Sequence, residues 1–244
     1  IVVYELPTMK FKWELHLDLT TDRTKTKAHI YASPIVADID SDGVLEIVVA
    51  TSMGWIYVVD RKGKTKEGFP VLIGEIQGQP IVEDVNNDGD VEICAGDANS
   101  NIVCFNYKGE IVWETVTSGR LSSPLTAADL NGDGTLEIVA TSTSGHIWAL
   151  DGKTGKVLPG FPIKTDGPIL SSASILTGMS ADPQSATIIA PSHDGFIYFV
   201  DTKTTCIEKV DIGERIYSQI LIDDVTGNGH LNLIVTTMNG NVFN

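Results

Sequence analysis

The chain has 244 residues, 42% hydrophobic and 20% charged, an ordinary balance for a folded globular protein and not for a disordered one. A formal charge of -15 at pH 7 makes a basic, phosphate-neutralising face unexpected, and nucleic acid is not the expected partner. No run approaches the roughly 20 apolar residues needed to span a bilayer, and no membrane contact is expected from this segment itself.

In chain order, Ile1-Val2-Val3-Tyr4-Glu5 and Phe11-Lys12-Trp13-Glu14-Leu15 are two strand-like runs. Ile1 follows neither an initiating Met nor a charged-then-apolar leader, so a mature segment or a fragment is expected. After the basic stretch Arg23-Thr24-Lys25-Thr26-Lys27, a pattern starts that organises everything that follows. Ser33-Pro34-Ile35-Val36-Ala37-Asp38 returns as Gln79-Pro80-Ile81-Val82-Glu83-Asp84, as Ser123-Pro124-Leu125-Thr126-Ala127-Ala128-Asp129, and as Ser218-Gln219-Ile220-Leu221-Ile222-Asp223-Asp224. Asp38 to Asp84 is 46 residues, Asp84 to Asp129 is 45, and Asp129 to Asp224 is 95, about two periods. The intervening member begins at Ser171-Ser172-Ala173-Ser174-Ile175, but between Ile175 and Ala186 the acidic loop is missing.

Each unit continues the same way. Glu46-Ile47-Val48-Val49-Ala50 is a short β-branched run, Ser52-Met53-Gly54 turns the chain, and Trp55-Ile56-Tyr57-Val58-Val59 follows. Asp60-Arg61-Lys62-Gly63 turns it again toward a weaker fourth strand near Gly68-Phe69-Pro70-Val71. No stretch keeps helical spacing. Four short antiparallel strands per unit of about 45 residues describe the blade of a β-propeller; a β-sandwich, the alternative all-β fold, does not require one sustained period. Blades are expected at 29–76, 77–119, 120–168 and 169–214, with 1–28 ending a preceding blade and 215–244 starting a further one. Both ends offer a third strand, since Asn241-Val242-Phe243 matches the start of one. They cannot complement each other to close a ring, so about five blades' worth of a seven- or eight-bladed propeller is expected.

The acidic loops carry the chemistry. Asp38, Asp40, Asp42 and Glu46 stand at positions 1, 3, 5 and 9 of a nine-residue loop, with Gly43 at position 6 and the carbonyl of Val44 at position 7. Asp84, Asn86, Asp88, Asp90 and Glu92 repeat the arrangement, as do Asp129, Asn131, Asp133, Thr135 and Glu137, with Asp90 and Thr135 at position 7. Calcium takes six to eight oxygens, and alternate residues of a tight loop can turn theirs inward together. The final carboxylate at position 9, followed by a strand, separates these loops from the helix-flanked EF-hand with its Glu at position 12. By carboxylate count the first loop is expected to be the strongest calcium site, and the second and third also sites. The last loop, with Asp224, Asn228, His230 and Asn232, holds one carboxylate in its ligand set and is expected to bind weakly or not at all. A single such loop is equally well an Asx-rich turn without metal; three of identical spacing favour the metal. Sites of this kind in extracellular modules bind at about 10⁻⁴–10⁻³ M, which points to a calcium-rich lumen, cell surface or extracellular space.

The D-x-[DN]-x-D-G-x-x-E loop followed by an apolar strand resembles the FG-GAP/VCBS repeats of integrin α-subunit propellers over nearly the whole chain. A closer resemblance, to the plant Defective in Exine Formation protein family, rests on four stretches. These are Leu17-Asp18-Leu19-Thr20-Thr21-Asp22, Glu75-Ile76-Gln77-Gly78, Val210-Asp211-Ile212-Gly213-Glu214 and Thr237-Met238-Asn239-Gly240-Asn241-Val242-Phe243. It implies a secretory-pathway parent protein with a lumenal propeller, a membrane anchor further along and a role in wall assembly.

The remaining residues favour a binding scaffold over an enzyme. His16, His29, His146, His193 and His230 form no H-E-x-x-H motif, and no nucleophile elbow, P-loop or dinucleotide fingerprint is present. No catalytic residue is assigned, and a protein or polysaccharide ligand at the propeller faces is the expected partner. The alternative is a propeller enzyme. The stretch Gly145-His146-Ile147-Trp148-Ala149-Leu150-Asp151-Gly152-Lys153-Thr154-Gly155-Lys156 resembles the repeat of pyrroloquinoline-quinone dehydrogenases, and calcium-dependent polysaccharide lyases also carry such loops. Trp13, Trp55, Trp113 and Trp148 are expected to fill the space between blades. Cys94 and Cys104 fall opposite each other if Asp97 pairs with Asn101; two small buried hydrophobes are expected there in preference to a disulfide.

Overall fold

The computed structural model describes residues 1–17, 28–177 and 185–244. The basic stretch Arg23–Lys27 and most of Ile175–Ala186 lie outside these residues, as does Asp18–Asp22 of the first resemblance stretch. Among the described residues every regular element is a strand, and the strands form up-and-down antiparallel sheets in sequence order.

An N-terminal pair, β1 (Val2–Glu5) and β2 (Lys10–Glu14), precedes the first full blade. Blade one is β3 (Ile35–Ala37), β4 (Glu46–Ala50), β5 (Trp55–Val59) and β6 (Val71–Leu72). Blade two is β7 (Ile81–Glu83), β8 (Glu92–Gly96), β9 (Asn101–Phe105) and β10 (Ile111–Val116). Blade three is β11 (Thr126–Ala128), β12 (Glu137–Thr141), β13 (His146–Asp151) and β14 (Ile163–Lys164). Blade four is β15 (Ser174–Thr177), β16 (Ala186–Pro191), β17 (Phe196–Asp201) and β18 (Ile207–Asp211). A last sheet of three strands follows: β19 (Leu221–Asp223), β20 (Asn232–Thr236) and β21 (Val242–Phe243). The fold is a β-propeller built from four-stranded antiparallel blades.

The core lies between blades, which explains the sequence pattern. The second and third strands of each blade are covered on both faces, so they are apolar runs without strict alternation. All five residues of β8 are buried, as are all five of β12. The outermost strand β18 is exposed along its whole length. Ile39, Val48, Ile56 and Val58 of blade one pack against Ile93, Ala95, Val103 and Phe105 of blade two. Ile81, Cys94, Ile102 and Cys104 of blade two meet Ile138, Ala140 and Leu150 of blade three. Blade three joins blade four through Val139, Ile147, Ile188 and Val200, and blade four joins the last sheet through Ile189, Ile197, Ile220 and Val235.

Two tryptophans tie this stack at repeat-related places. Trp13 on β2 donates its indole N–H to the Arg61 carbonyl at 2.8 Å, and Trp113 on β10 donates to that of Gly152 at 2.7 Å. Both acceptors sit in the turn after the third strand of the next blade. The N-terminal pair therefore stands to blade one as the outer half of blade two stands to blade three.

Cys94 and Cys104 are directly opposed on β8 and β9, and the amide of Asp97 bonds the Asn101 carbonyl at 2.9 Å as the turn requires. They form a disulfide, where two reduced thiols had been expected. Both residues are completely buried at facing positions of a paired ladder, so neighbouring strands hold the two sulfurs in contact. Cys206 is free and exposed.

Candidate metal centre

Each acidic loop joins the first strand of a blade to its second, and the four described loops share one backbone design. The Asp at position 1 accepts the amides of positions 5 and 6. Asp38 takes Asp42 N–H at 3.1 Å and Gly43 N–H at 2.8 Å; Asp84 takes those of Asp88 and Gly89 at 3.1 and 2.8 Å. Asp129 takes Asp133 and Gly134 at 3.2 and 3.0 Å, and Asp224 takes Asn228 and Gly229 at 3.1 and 2.7 Å. Position 5 in turn accepts the amide of position 7, from Val44, Asp90, Thr135 and His230.

Glycine at position 6 is required by conformation, because Gly43, Gly89, Gly134 and Gly229 all have φ between 80° and 93°. Position 4 is left-handed as well, at Ser41, Asn87, Gly132 and Gly227. Sequence reasoning passed over position 4, although a small or turn-prone residue stands there in every loop.

Position 9 has two roles. Glu46, Glu92 and Glu137 are at most 2% exposed. One carboxylate oxygen accepts the amide of position 2, from Ile39, Val85 and Leu130 at 3.2, 3.1 and 2.7 Å. Those three residues are themselves core, so the glutamate ties the loop to the inter-blade layer. Its other oxygen, Oε1, faces the donor groups of the loop. Burial, and after it the charges of the loop aspartates, push Glu92 up to about 7 against the Val85 amide; Glu137 is pushed up to about 7 in the same way.

Position 3 separates the loops. Asn86 and Asn131 each donate Nδ2–H to the Oε1 of Glu92 and Glu137 at 3.0 Å. Asp40 has no such hydrogen, and the Lys66 ammonium takes its place, 2.5 Å from Asp40 Oδ2 and 3.2 Å from Glu46 Oε1. Burial lowers the Lys66 pKa, but Asp40 and Glu46 outweigh that and hold it above its ordinary value. Asp38, Asp40 and Asp42 each bring a carboxylate oxygen within 4.8 Å of the others. Asp40 Oδ1 and Asn86 Oδ1 are buried without a hydrogen-bond partner. Such oxygens are costly to leave unpaired, and a hard cation is the group that oxygen-only donor sets of this kind fit. In the last loop Asn232 Oδ1 is likewise buried and unpartnered, but Asp224 is its one ligand-set carboxylate.

Other polar and aromatic side chains lie within the blades, away from the acidic loops. His146, on the turn side of blade three, lies 2.8 Å from Ser144 Oγ and 3.2 Å from Ser118 Oγ through Nδ1. Tyr198 donates to Asp194 at 2.8 Å and to Asp166 at 3.3 Å. Trp148 is at the edge of the layer between blades two and three.

Comparison with known proteins agrees with the repeat. The FG-GAP-like repeat model matches residues 84–140, a stretch containing the second and third acidic loops. Two curated proteins are similar over part of the chain. The human (Homo sapiens) beta-alanine-activating enzyme is 26% identical over 107 residues, 43% of this chain and 9% of that protein. Lambda-carrageenase of Pseudoalteromonas carrageenovora is 23% identical over 112 residues, 46% of this chain and 11% of that protein. The chain thus spans about a tenth of the length of these relatives. Among solved structures, BBS1N, crystallised in complex with ARL6DN, superposes with a TM-score of 0.59 at 13% identity, over 86% of this chain and 62% of that one. The chain carries an FG-GAP-like repeat in a β-propeller fold.

Proposed function

We propose that this chain is a calcium-stabilised propeller scaffold that presents the loops of its faces to a protein or polysaccharide partner. The observation that carries the proposal is the repeated oxygen-donor loop with its buried, unpartnered Asp40 Oδ1 and Asn86 Oδ1. The ion would be held by Asp38, Asp40, Asp42, Glu46 and the Val44 carbonyl, and by the corresponding residues of the second and third loops. Calcium bound there would supply positive charge to the clustered carboxylates of the loop between the first and second strands of a blade. The chain's own residues do the rest: Asp38, Asp84 and Asp129 shape the turn, and Glu46, Glu92 and Glu137 anchor it to the core.

A calcium-rich, oxidising compartment suits both the loops and the Cys94–Cys104 disulfide. The lumenal, wall-building setting implied by the resemblance to the Defective in Exine Formation family is consistent with it. BBS1N with its ARL6DN partner supports a protein ligand by analogy of fold. A second reading, a module within a polysaccharide-acting enzyme, is favoured by the partial match to lambda-carrageenase.

Thermal unfolding in EDTA, in millimolar calcium and in millimolar magnesium tests the proposal. A rise in melting temperature specific to calcium is expected. Equal melting temperatures in all three, with no calcium uptake by titration calorimetry, would make the loops metal-free turns.

A further inference from the structure

Carboxylate count makes the first loop the strongest cation site, yet it is the loop into which the chain puts a cation of its own. The Lys66 ammonium bridges Asp40 and Glu46, its side chain 23% exposed against 1% for Glu46. Four carboxylates less one ammonium leave the first loop a net charge of -3, the same as the three carboxylates of the third loop and the three that the second loop offers by side chain, Asp90 at position 7 offering its carbonyl and adding a further charge nearby. The charge advantage is cancelled within the fold.

The substitution pattern has a local logic. In the second and third loops the asparagine at position 3 supplies the hydrogen that Glu Oε1 accepts. Aspartate at position 3 removes it, and Lys66 restores it from the segment between β5 and β6. Lys66 owes its reach to backbone register: its amide bonds the Val58 carbonyl at 2.8 Å on β5. The residue of blade three with the same bond, Leu158 to Ala149 at 2.9 Å, is leucine and packs against the core. A charged side chain at a place where a sister blade keeps an apolar one needs a charge partner, and here it has two.

We propose that Lys66 is a tethered counter-cation which holds the cation position of the first loop, so that this loop takes calcium only when Lys66 is displaced. A covalently attached ammonium competes at a high effective concentration, and its departure leaves two carboxylates to be neutralised by the metal. This inference rests on the reading of the loops as calcium sites, and adds that the chain binds two ions tightly, at the second and third loops.

Calcium titration calorimetry and native mass spectrometry on the intact chain and on Lys66→Met, which keeps the aliphatic stem, test it. The expected result is two tightly bound ions in the natural chain and three in Lys66→Met, with the melting-temperature gap between calcium and EDTA wider in the variant. Three equally tight ions in both proteins would overturn the role of Lys66 while leaving the calcium reading intact. No ion in either would overturn the calcium reading itself. If Lys66→Met fails to fold even with calcium, the double variant Asn131→Asp with Leu158→Lys, which rebuilds the first loop's pair in the third, carries the test: it is expected to lose one ion from the third loop relative to Asn131→Asp alone, and an unchanged count of ions there would sink the proposal.

Discussion

The indole N–H of Trp113 donates to the carbonyl of Gly152, 39 residues away in the next blade, at 2.7 Å. Its ring lies flat enough against the same turn that a Cβ on Gly155, at φ 67°, would collide with Cδ2 and Cε3. Trp13 makes the same pair of contacts with Arg61 and Gly63. At these two junctions a hydrogen bond and a ring packed on a glycine turn add to the apolar layer between sheets.

Trp113→Ala is expected to cost about 3–5 kcal/mol by loss of a buried aromatic. Trp113→Phe should cost about 1–3 kcal/mol by stranding the Gly152 carbonyl. Urea denaturation measures both. Gly155→Ala should be worse than Gly43→Ala, which has open space around it and carries only the left-handed backbone penalty of about 1–2 kcal/mol. Equal costs for the two glycines would refute the stacking argument.

Glu137→Gln separates the two roles of position 9. In EDTA the amide removes a buried charge repelled by Asp133 and Asp129, which offsets the acceptor oxygen it takes from Asn131 or Leu130, so the variant should be about as stable as the natural chain at pH 8. In millimolar calcium the variant should melt well below the natural chain, because a carboxylate ligand is gone. Melting temperatures under the two conditions decide it; the same gap in both would mean that Glu137 is an anchor only.

His146 gives a pH dependence. Burial, and then the charge of Lys164, holds its pKa below the ordinary 6.5. The unfolded chain therefore takes up a proton near pH 6.5 that the folded chain resists. Stability from this group is full above that value and falls as pH drops from about 6.5 toward the folded pKa. Denaturation midpoints at pH 5.5 and 7.5 should differ less in His146→Gln than in the natural chain.

Alkylation checks the cysteine pairing. Without reductant, the denatured chain should gain one label, at Cys206, and after reduction three. Three labels without reductant would remove the disulfide.

Much of this architecture was legible because a propeller repeats. A period of about 46 residues, Gly turns at fixed offsets and apolar runs covered on both faces arise from local and near-neighbour constraints, so they are written along the chain. The acidic loops were legible for the same reason: positions 1, 3, 5, 6 and 9 lie within nine residues, and the turn that assembles them is local. The sequence by itself thus determined the blade, the loop and its donor types. Only the tertiary structure decided what each donor meets. Lys66 is 20 residues beyond Glu46, and no local rule carries its ammonium back to Asp40; that needs the register of β5 and the path of the chain after it. The pairing of Trp113 with Gly152 depends on the stacking of one blade on the next, and the Cys94–Cys104 bond on two strands closing at one register. Counting carboxylates ranked the first loop highest, because charge can be summed along a sequence, whereas the counter-charge that cancels it arrives through space.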